Sequence, residues 1–404
     1  MDFLTSTTGQ AGLPRYFSQV FRHVLGLRNG RLDFVLPDGR RFRAEGPGPG
    51  PAAEVQVVSR DLFARLIREG ELGFSEAFVD GDWQTPDLQA FLDLILMPGN
   101  LVVPDSFPGA GLIRGLERLR FWFHSNSRAQ ARRNIAAHYD LGNEFYRLWL
   151  DESMTYSSAL FRTGRESLER AQAQKYAALL ERIGAKPGEH LLEIGCGWGG
   201  FAEFAAGRGM RVTGLTISPA QHEFATERIR RAGLADRVTI RLEDYRDHHG
   251  LYDGIASIEM FEAVGEKYWP VYFRGLADRL RPGRNAVLQI ITIAEDRWPR
   301  YRASVDFIQK YIFPGGMLPS PGALRDQARR AGLLVTGSAE FGQSYSQTLR
   351  RWHETFLARW QEIRALGFDD RFRRLWEFYL AACAGAFRGQ NCDVTQITLT
   401  RPAN

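Results

Sequence analysis

Residues 191–201, Leu-Leu-Glu-Ile-Gly-Cys-Gly-Trp-Gly-Gly-Phe, constrain what this 404-residue chain can fold into more than any other stretch. Leu-Leu-Glu-Ile reads as a buried strand. The Gly-X-Gly-X-Gly that follows reads as a turn in which backbone bends sharply and comes close to a ligand. Such a turn alone also serves dinucleotides and phosphates. Two features narrow it to S-adenosylmethionine (SAM). Glu193 lies inside the strand just before the turn, and the glycines Gly195, Gly197 and Gly199 are spaced more tightly than in Gly-X-Gly-X-X-Gly. SAM carries an amino-acid moiety and has no pyrophosphate to seat on a helix N-terminus. The next apolar run ends in Gly214-Leu-Thr-Ile-Ser-Pro219, which offers Thr216 and Gln221 to ribose hydroxyls. A third run ends in Glu243-Asp244-Tyr245, suited to hydrogen bonding and stacking at an adenine. Each strand end taken alone is also an ordinary turn; their register is what points to SAM.

Around this pocket apolar runs alternate with helical patterns, the signature of a parallel sheet covered by helices. Strands are expected at 190–195, 211–217, 238–244, 252–259, 285–293, 333–341 and 394–400. Seven strands in this order give the α/β class, a Rossmann-like SAM methyltransferase sheet. A helical insertion at about 345–388 separates the last two and carries Trp352, Phe356, Trp360, Trp376, Phe378 and Tyr379. Those rings either pack a helical subdomain or together line an apolar tunnel. Upstream, a smaller α+β domain is expected over 1–115, with the catalytic domain over 116–404. It contains a strand and hairpin at 32–42, a Gly-Pro-rich loop at 46–51 and a strand at 55–58. Short helices are expected at 62–69, 71–79 and 88–97.

Composition sets outer limits. No apolar run approaches the roughly 20 residues a membrane span requires. Three scattered cysteines lack metal-ligand spacing and suit a reducing compartment, so a cytoplasmic protein with no metal is expected. The net charge of +5 is consistent with an anionic surface as partner. Residues 112–123, apolar with Arg114, Arg118 and Arg120, are the candidate membrane contact; a connecting helix packed on the sheet is the alternative. No RNA-binding module is recognisable, and no nucleic acid partner is expected.

Further motifs carry a resemblance. They are His138-Tyr-Asp-Leu-Gly-Asn143, Met154-Thr-Tyr-Ser-Ser158, Leu192-Glu-Ile-Gly-Cys-Gly-Trp-Gly-Gly200, Met260-Phe-Glu262, Lys310-Tyr-Ile-Phe-Pro-Gly-Gly-Met-Leu-Pro319, Tyr345-Ser-Gln-Thr-Leu349 and Cys383-Ala-Gly-Ala-Phe387. The chain resembles the cyclopropane fatty acid synthases and their mycolic-acid-modifying relatives, from about residue 60 to the end. The resemblance implies a membrane phospholipid substrate with a cis-unsaturated acyl chain, peripheral membrane association and a homodimer. It also implies that Tyr139, Tyr156, Ser157, Gly195, Gly197, Thr216, Gln221 and Tyr245 contact SAM. By the same resemblance, Glu262 and Tyr345 belong to a group holding bicarbonate, which takes a proton from the new methyl as a ring closes.

Three positions depart from that pattern. Ser158 stands where the cyclopropane-forming enzymes have Cys, Gln289 where many have His, and Glu259 where Gly is usual. Neutral Gln is a weaker anion partner than a cationic His, and an added carboxylate repels an anion further. Either Gln289, Ser158 and Tyr345 still hold bicarbonate and a cyclopropane forms, or the cation loses a different proton and a methylated alkene remains. The departures favour the second outcome, with Glu259 or Glu262 as base; Glu259 as a mere hydrogen-bonding group at the strand end is the alternative. A small-molecule or RNA methyltransferase would lack the 310–319 motif. An inactive lipid-binding protein would be expected to have lost Gly195, Gly197 or Glu262.

Overall fold

The computed structural model describes residues 3–100 and 141–403. Those residues form two compact units that interleave along the chain. One takes 3–100, 303–312 and 360–391; the other takes 141–302, 313–359 and 392–403.

The first unit is built on a four-stranded sheet of order β2-β1-β3-β4: β1 (Asn29–Val35), β2 (Arg41–Glu45), β3 (Gly48–Val57) and β4 (Trp83–Gln84). Phe17, Phe21, Phe34, Phe42 and Phe63 meet ring to ring in its core. The Gly-Pro run expected to be a loop is instead the start of β3, parallel to β1 with a register shift between Asn29 and Arg31. Two facts reconcile proline with a strand here. β4 pairs only with Gln56 and Val57, so the other edge at Pro49 and Pro51 has no partner among the described residues, and no ladder hydrogen bond is lost there. Glycine also lets the chains approach, since a Cβ on Gly48 would lie 2.2 Å from Asn29 Oδ1. The two short helices expected after β3 are present within Leu62–Asp80, separated by non-helical backbone at Gly70 (φ 67°).

The second unit holds seven strands: β5 (His190–Ile194), β6 (Arg211–Thr216), β7 (Val238–Leu242), β8 (Tyr252–Ile258), β9 (Leu280–Ile293), β10 (Leu334–Glu340) and β11 (Cys392–Thr400). Their order is β10-β11-β9-β8-β5-β6-β7, parallel from β7 to β9, with β11 antiparallel to both neighbours. β9 begins earlier than the sequence suggested. Pro282 and Gly283 read as breakers, yet a register shift near Tyr252 and positive φ at Gly283 absorb them as an irregularity. The helix Leu168–Ile183 packs Leu179, Leu180 and Ile183 on Leu191, Val212, Ala256 and Val287. Burial of such side chains is worth roughly 1.5–3 kcal/mol each.

The aromatic insertion is divided between the units. Its first helix, Gly342–Ala358, carries Trp352 and Phe356 in the second unit; Trp360–Ala365 and Asp370–Arg388 carry the other four rings in the first. All six are buried. Among the described residues no helix is long and apolar enough to cross a membrane. No disulfide is present among the described residues.

Candidate active site

Parallel strands bring their C-terminal ends to one edge of the sheet, and strand order reverses between β5 and β8. Residues leaving those two ends face a common crevice. From β5 come Glu193 and the glycine turn. From β8 come Glu259, Met260 and Glu262.

The turn adopts left-handed backbone at Gly195 (φ 81°), Gly197 (φ 52°) and Gly199 (φ 83°). The Gly195 and Cys196 N–H groups both donate to Leu215 O, at 3.0 and 2.8 Å, tying the turn to β6. A Cβ on Gly195 would lie 2.6 Å from Met260 Cγ and 2.9 Å from its Cβ, whereas one on Gly197 would meet nothing within 4 Å among the described residues. Gly195 is thus required by packing, and no described residue crowds Gly197. Gly199 sits over Ala225. Glu193 is buried, and its Oε2 has no hydrogen-bond partner among the described residues. Burial pushes its carboxyl well up, with Lys175 and Arg228 opposing. At the end of β6, buried Thr216 donates to Gln221 Oε1 at 2.9 Å and accepts from Ser218 N at 3.2 Å. Beyond β7, Asp244 is held by Arg246 at 2.6 Å, and Tyr245 packs edge-on against Tyr272 at 5.4 Å. Tyr139 lies outside the described residues.

Ser158, Glu259, Gln289 and Tyr345 converge on one carboxylate. Glu259 Oε1 accepts from Ser158 N and from Gln289 Nε2, both at 2.8 Å, and Tyr345 also hydrogen-bonds this carboxylate. The Ser158 hydroxyl points away and donates to Ala159 O at 2.9 Å, so Ser158 serves through its backbone N–H. Gln289 is fully buried; its Oε1 accepts from Gln396 Nε2 at 3.1 Å. Glu259 itself has φ 49°, the left-handed region that favours glycine. Holding a long side chain there costs on the order of 1–3 kcal/mol, which the surrounding donors must offset. Burial raises the Glu259 carboxyl, while Lys175, Gln289, Ser158 and Tyr345 pull it back down.

Glu262 sits beside this group in a different state. Its Oε1 accepts from Ile291 N at 2.6 Å and its Oε2 has no partner among the described residues. Burial and the neighbouring Glu259 push its carboxyl up to about 8, so it is mostly protonated at neutral pH.

Aromatic rings cluster around Tyr156 and Tyr345. Half-buried Tyr156 lies 5.4 Å from Tyr146, 5.5 Å from Trp149 and 5.4 Å from Trp352, and Tyr345 lies 6.1 Å from Trp352. Ser157 Oγ accepts from Lys175 Nζ at 2.6 Å. Lys175 and Gln396 were not singled out from sequence. The available signal was two polar residues, Gln172 and Lys175, on the otherwise apolar stripe of Leu168–Ile183.

The family described as mycolic acid cyclopropane synthetase matches residues 126–397. The tuberculostearic acid methyltransferase of Mycobacterium tuberculosis is 40% identical over 379 residues, 92% of this chain and 88% of that protein. The chain belongs to the mycolic acid cyclopropane synthetase family.

Other members of the family are similarly near. The cyclopropane-fatty-acyl-phospholipid synthase of Escherichia coli is 38% identical over 357 residues, 88% of this chain and 89% of that one. A mycolic acid cyclopropane synthase solved with SAH and CTAB superposes with a TM-score of 0.63 at 30% identity, covering 67% of this chain and 98% of that one. Like its family, this protein is a SAM-dependent methyltransferase whose chemistry is one-carbon transfer onto lipid acyl chains. Its residues fit SAM: an orphaned buried Glu193 oxygen suits a cationic amino group, and the space at Gly197 leaves backbone accessible.

Proposed function

We propose that this family member methylates a cis double bond in an unsaturated acyl chain of membrane phospholipid and leaves a methylated alkene. Cyclopropane formation is the competing product. One observation carries the choice: the Ser158, Gln289 and Tyr345 donors that would hold bicarbonate already converge on the Glu259 carboxylate. A fixed carboxylate in that place makes a bound bicarbonate unnecessary, and its charge repels one.

SAM supplies an electrophilic methyl on a sulfonium. The alkene π pair forms the new carbon–carbon bond as the carbon–sulfur bond breaks, leaving the thioether SAH and a carbocation on the acyl chain. Glu259 then accepts a proton from a chain carbon next to the cation, and the released C–H pair restores an alkene. Tyr156, Trp149 and Trp352 exclude water, and their ring faces favour a cation. Gln289 and the Ser158 N–H fix the carboxylate, and Glu262, protonated, adds no competing charge. Glu193, Gly195, Gly197, Gly199, Thr216, Gln221, Asp244 and Tyr245 would hold SAM, with Tyr139, Tyr156 and Ser157. The 1–115 segment is proposed to serve lipid docking and dimerisation at the inner face of the membrane. The basic stretch 112–123, which straddles the end of that segment, lies outside the described residues.

The test is expression in a host lacking such enzymes, followed by mass spectrometry of phospholipid acyl chains. Chains that gain one CH2 equivalent and still react as alkenes at the modified site are expected. A gain with loss of the alkene identifies a ring and rejects the methylation reading.

A further inference from the structure

Lys175 has no assigned role, and its placement is unusual. It is fully buried on the sheet-facing stripe of Leu168–Ile183, where an aliphatic side chain would be the inexpensive choice. Its Nζ donates to Ser157 Oγ at 2.6 Å, and no carboxylate oxygen lies within ion-pair distance among the described residues. A buried ammonium without a direct ion partner is costly unless nearby charge offsets it. Three carboxylates supply that charge from three segments: Asp151 ahead of the Met154 turn, Glu193 at the end of β5 and Glu259 after β8. Burial raises the Asp151 and Glu193 carboxyls, and Asp151 Oδ1 and Glu193 Oε2 have no hydrogen-bond partner among the described residues, so Glu259 is the best-held carboxylate of the three. Glu259 exerts the largest pull of the three on Lys175.

The polar groups also close into a ring. Lys175 holds Ser157; the adjoining Ser158 N–H holds Glu259; Gln289 Nε2 holds Glu259; and Gln396 Nε2 bonds both Gln289 Oε1 and, at 3.4 Å, the carbonyl of Lys175. The charge of Lys175 and the orientation of Glu259 are therefore built on the same framework. We propose that Lys175 is a positioning residue for proton removal: its buried ammonium offsets the Glu259 carboxylate and keeps it ionised as a base. This rests on Glu259 being that base. Once Glu259 has taken the substrate proton, the adjacent cation favours its release, which readies the carboxylate for another turnover. Burial pulls Lys175 down to about 7 and raises Glu259, so the two ionisations depend on each other. The groups facing Lys175 are Asp151, Glu193, Glu259 and Tyr176; those facing Glu259 are Lys175, Glu262, Tyr345, Gln289 and Ser158.

The experiment uses the full chain with SAM and vesicles of palmitoyl-oleoyl phosphatidylglycerol, comparing wild type, Lys175→Met, Glu259→Gln and the double variant. For Lys175→Met, SAM affinity and KM should stay within about threefold, while kcat at neutral pH falls at least about tenfold, a loss typical of disturbing general-base catalysis. That kcat should recover as pH rises, because Glu259 without its cation ionises at higher pH. In the Glu259→Gln background Lys175→Met should cause no further loss. An unmoved pH profile, or an equal loss in both backgrounds, overturns the inference and leaves the base assignment standing. Wild-type turnover in Glu259→Gln overturns both. Should Lys175→Met fail to fold, the double variant decides, since removing both charges should restore folding; no rescue counts against the pairing.

Discussion

Glu259→Gln should lower kcat by about 10²–10⁴-fold, the range expected when a general base is removed, with SAM affinity within a few-fold of wild type. The amide is nearly isosteric, so the effect isolates the charge. Glu259 Oε1 accepts two hydrogen bonds at 2.8 Å, and an amide oxygen at that position can keep both. What is lost is the capacity to take a proton. Glu262→Gln is the control on the same surface. Its carboxyl is held near 8 and bonded to Ile291 N, so a neutral amide reproduces its resting form at neutral pH. It should lose at least about tenfold less activity than Glu259→Gln if only the latter acts as base. Single-turnover rates with product analysis, together with calorimetric SAM titration, check both variants. Equal losses would move the chemistry to Glu262 or to an anion held by both.

Gly197→Ala should abolish measurable SAM binding at concentrations that saturate wild type, while the apo fold loses only the stability that the backbone strain of a left-handed alanine costs. The methyl group would have no atom of the described residues within 4 Å and so would clash with none of them. The φ of 52° adds a strain of roughly 1–2 kcal/mol. Gly195→Ala is the contrasting case. Its Cβ would strike Met260 Cβ and Cγ, the first of which cannot swing away, so thermal stability should fall as well. Calorimetry and thermal unfolding on the two variants separate a glycine that serves the ligand from one that serves packing. Normal SAM affinity in Gly197→Ala would show that the ligand does not approach the turn on that side.

Much of this could be read from the chain. The seven strands announce themselves as runs bounded by turn residues, and the glycine spacing points to the strand end proposed to hold SAM. The Gly-Pro segment is a strand because, among the described residues, β4 stops short of Pro49 and Pro51 and leaves that edge of β3 without a strand, a tertiary fact with no local mark. The interleaving of residues 303–312 and 360–391 with the first unit is likewise set by packing. Within the site, Glu259, Gln289 and Ser158 stood out as departures from a pattern. That they meet on a single carboxylate, and that Ser158 takes part through its N–H, depended on the backbone turning left-handed at Glu259. Lys175 escaped notice because a lysine in a helix is ordinarily solvated, and only its burial makes it unusual.

Glu259 is proposed to remove the proton from the acyl chain itself, leaving the transferred methyl intact. Turnover with SAM carrying a fully deuterated methyl group tests it directly. A product that retains all three deuterium atoms and an alkene is predicted. A product that retains only two, with the third lost as the methyl gives up its deuteron to form a ring or an exocyclic methylene, would contradict it.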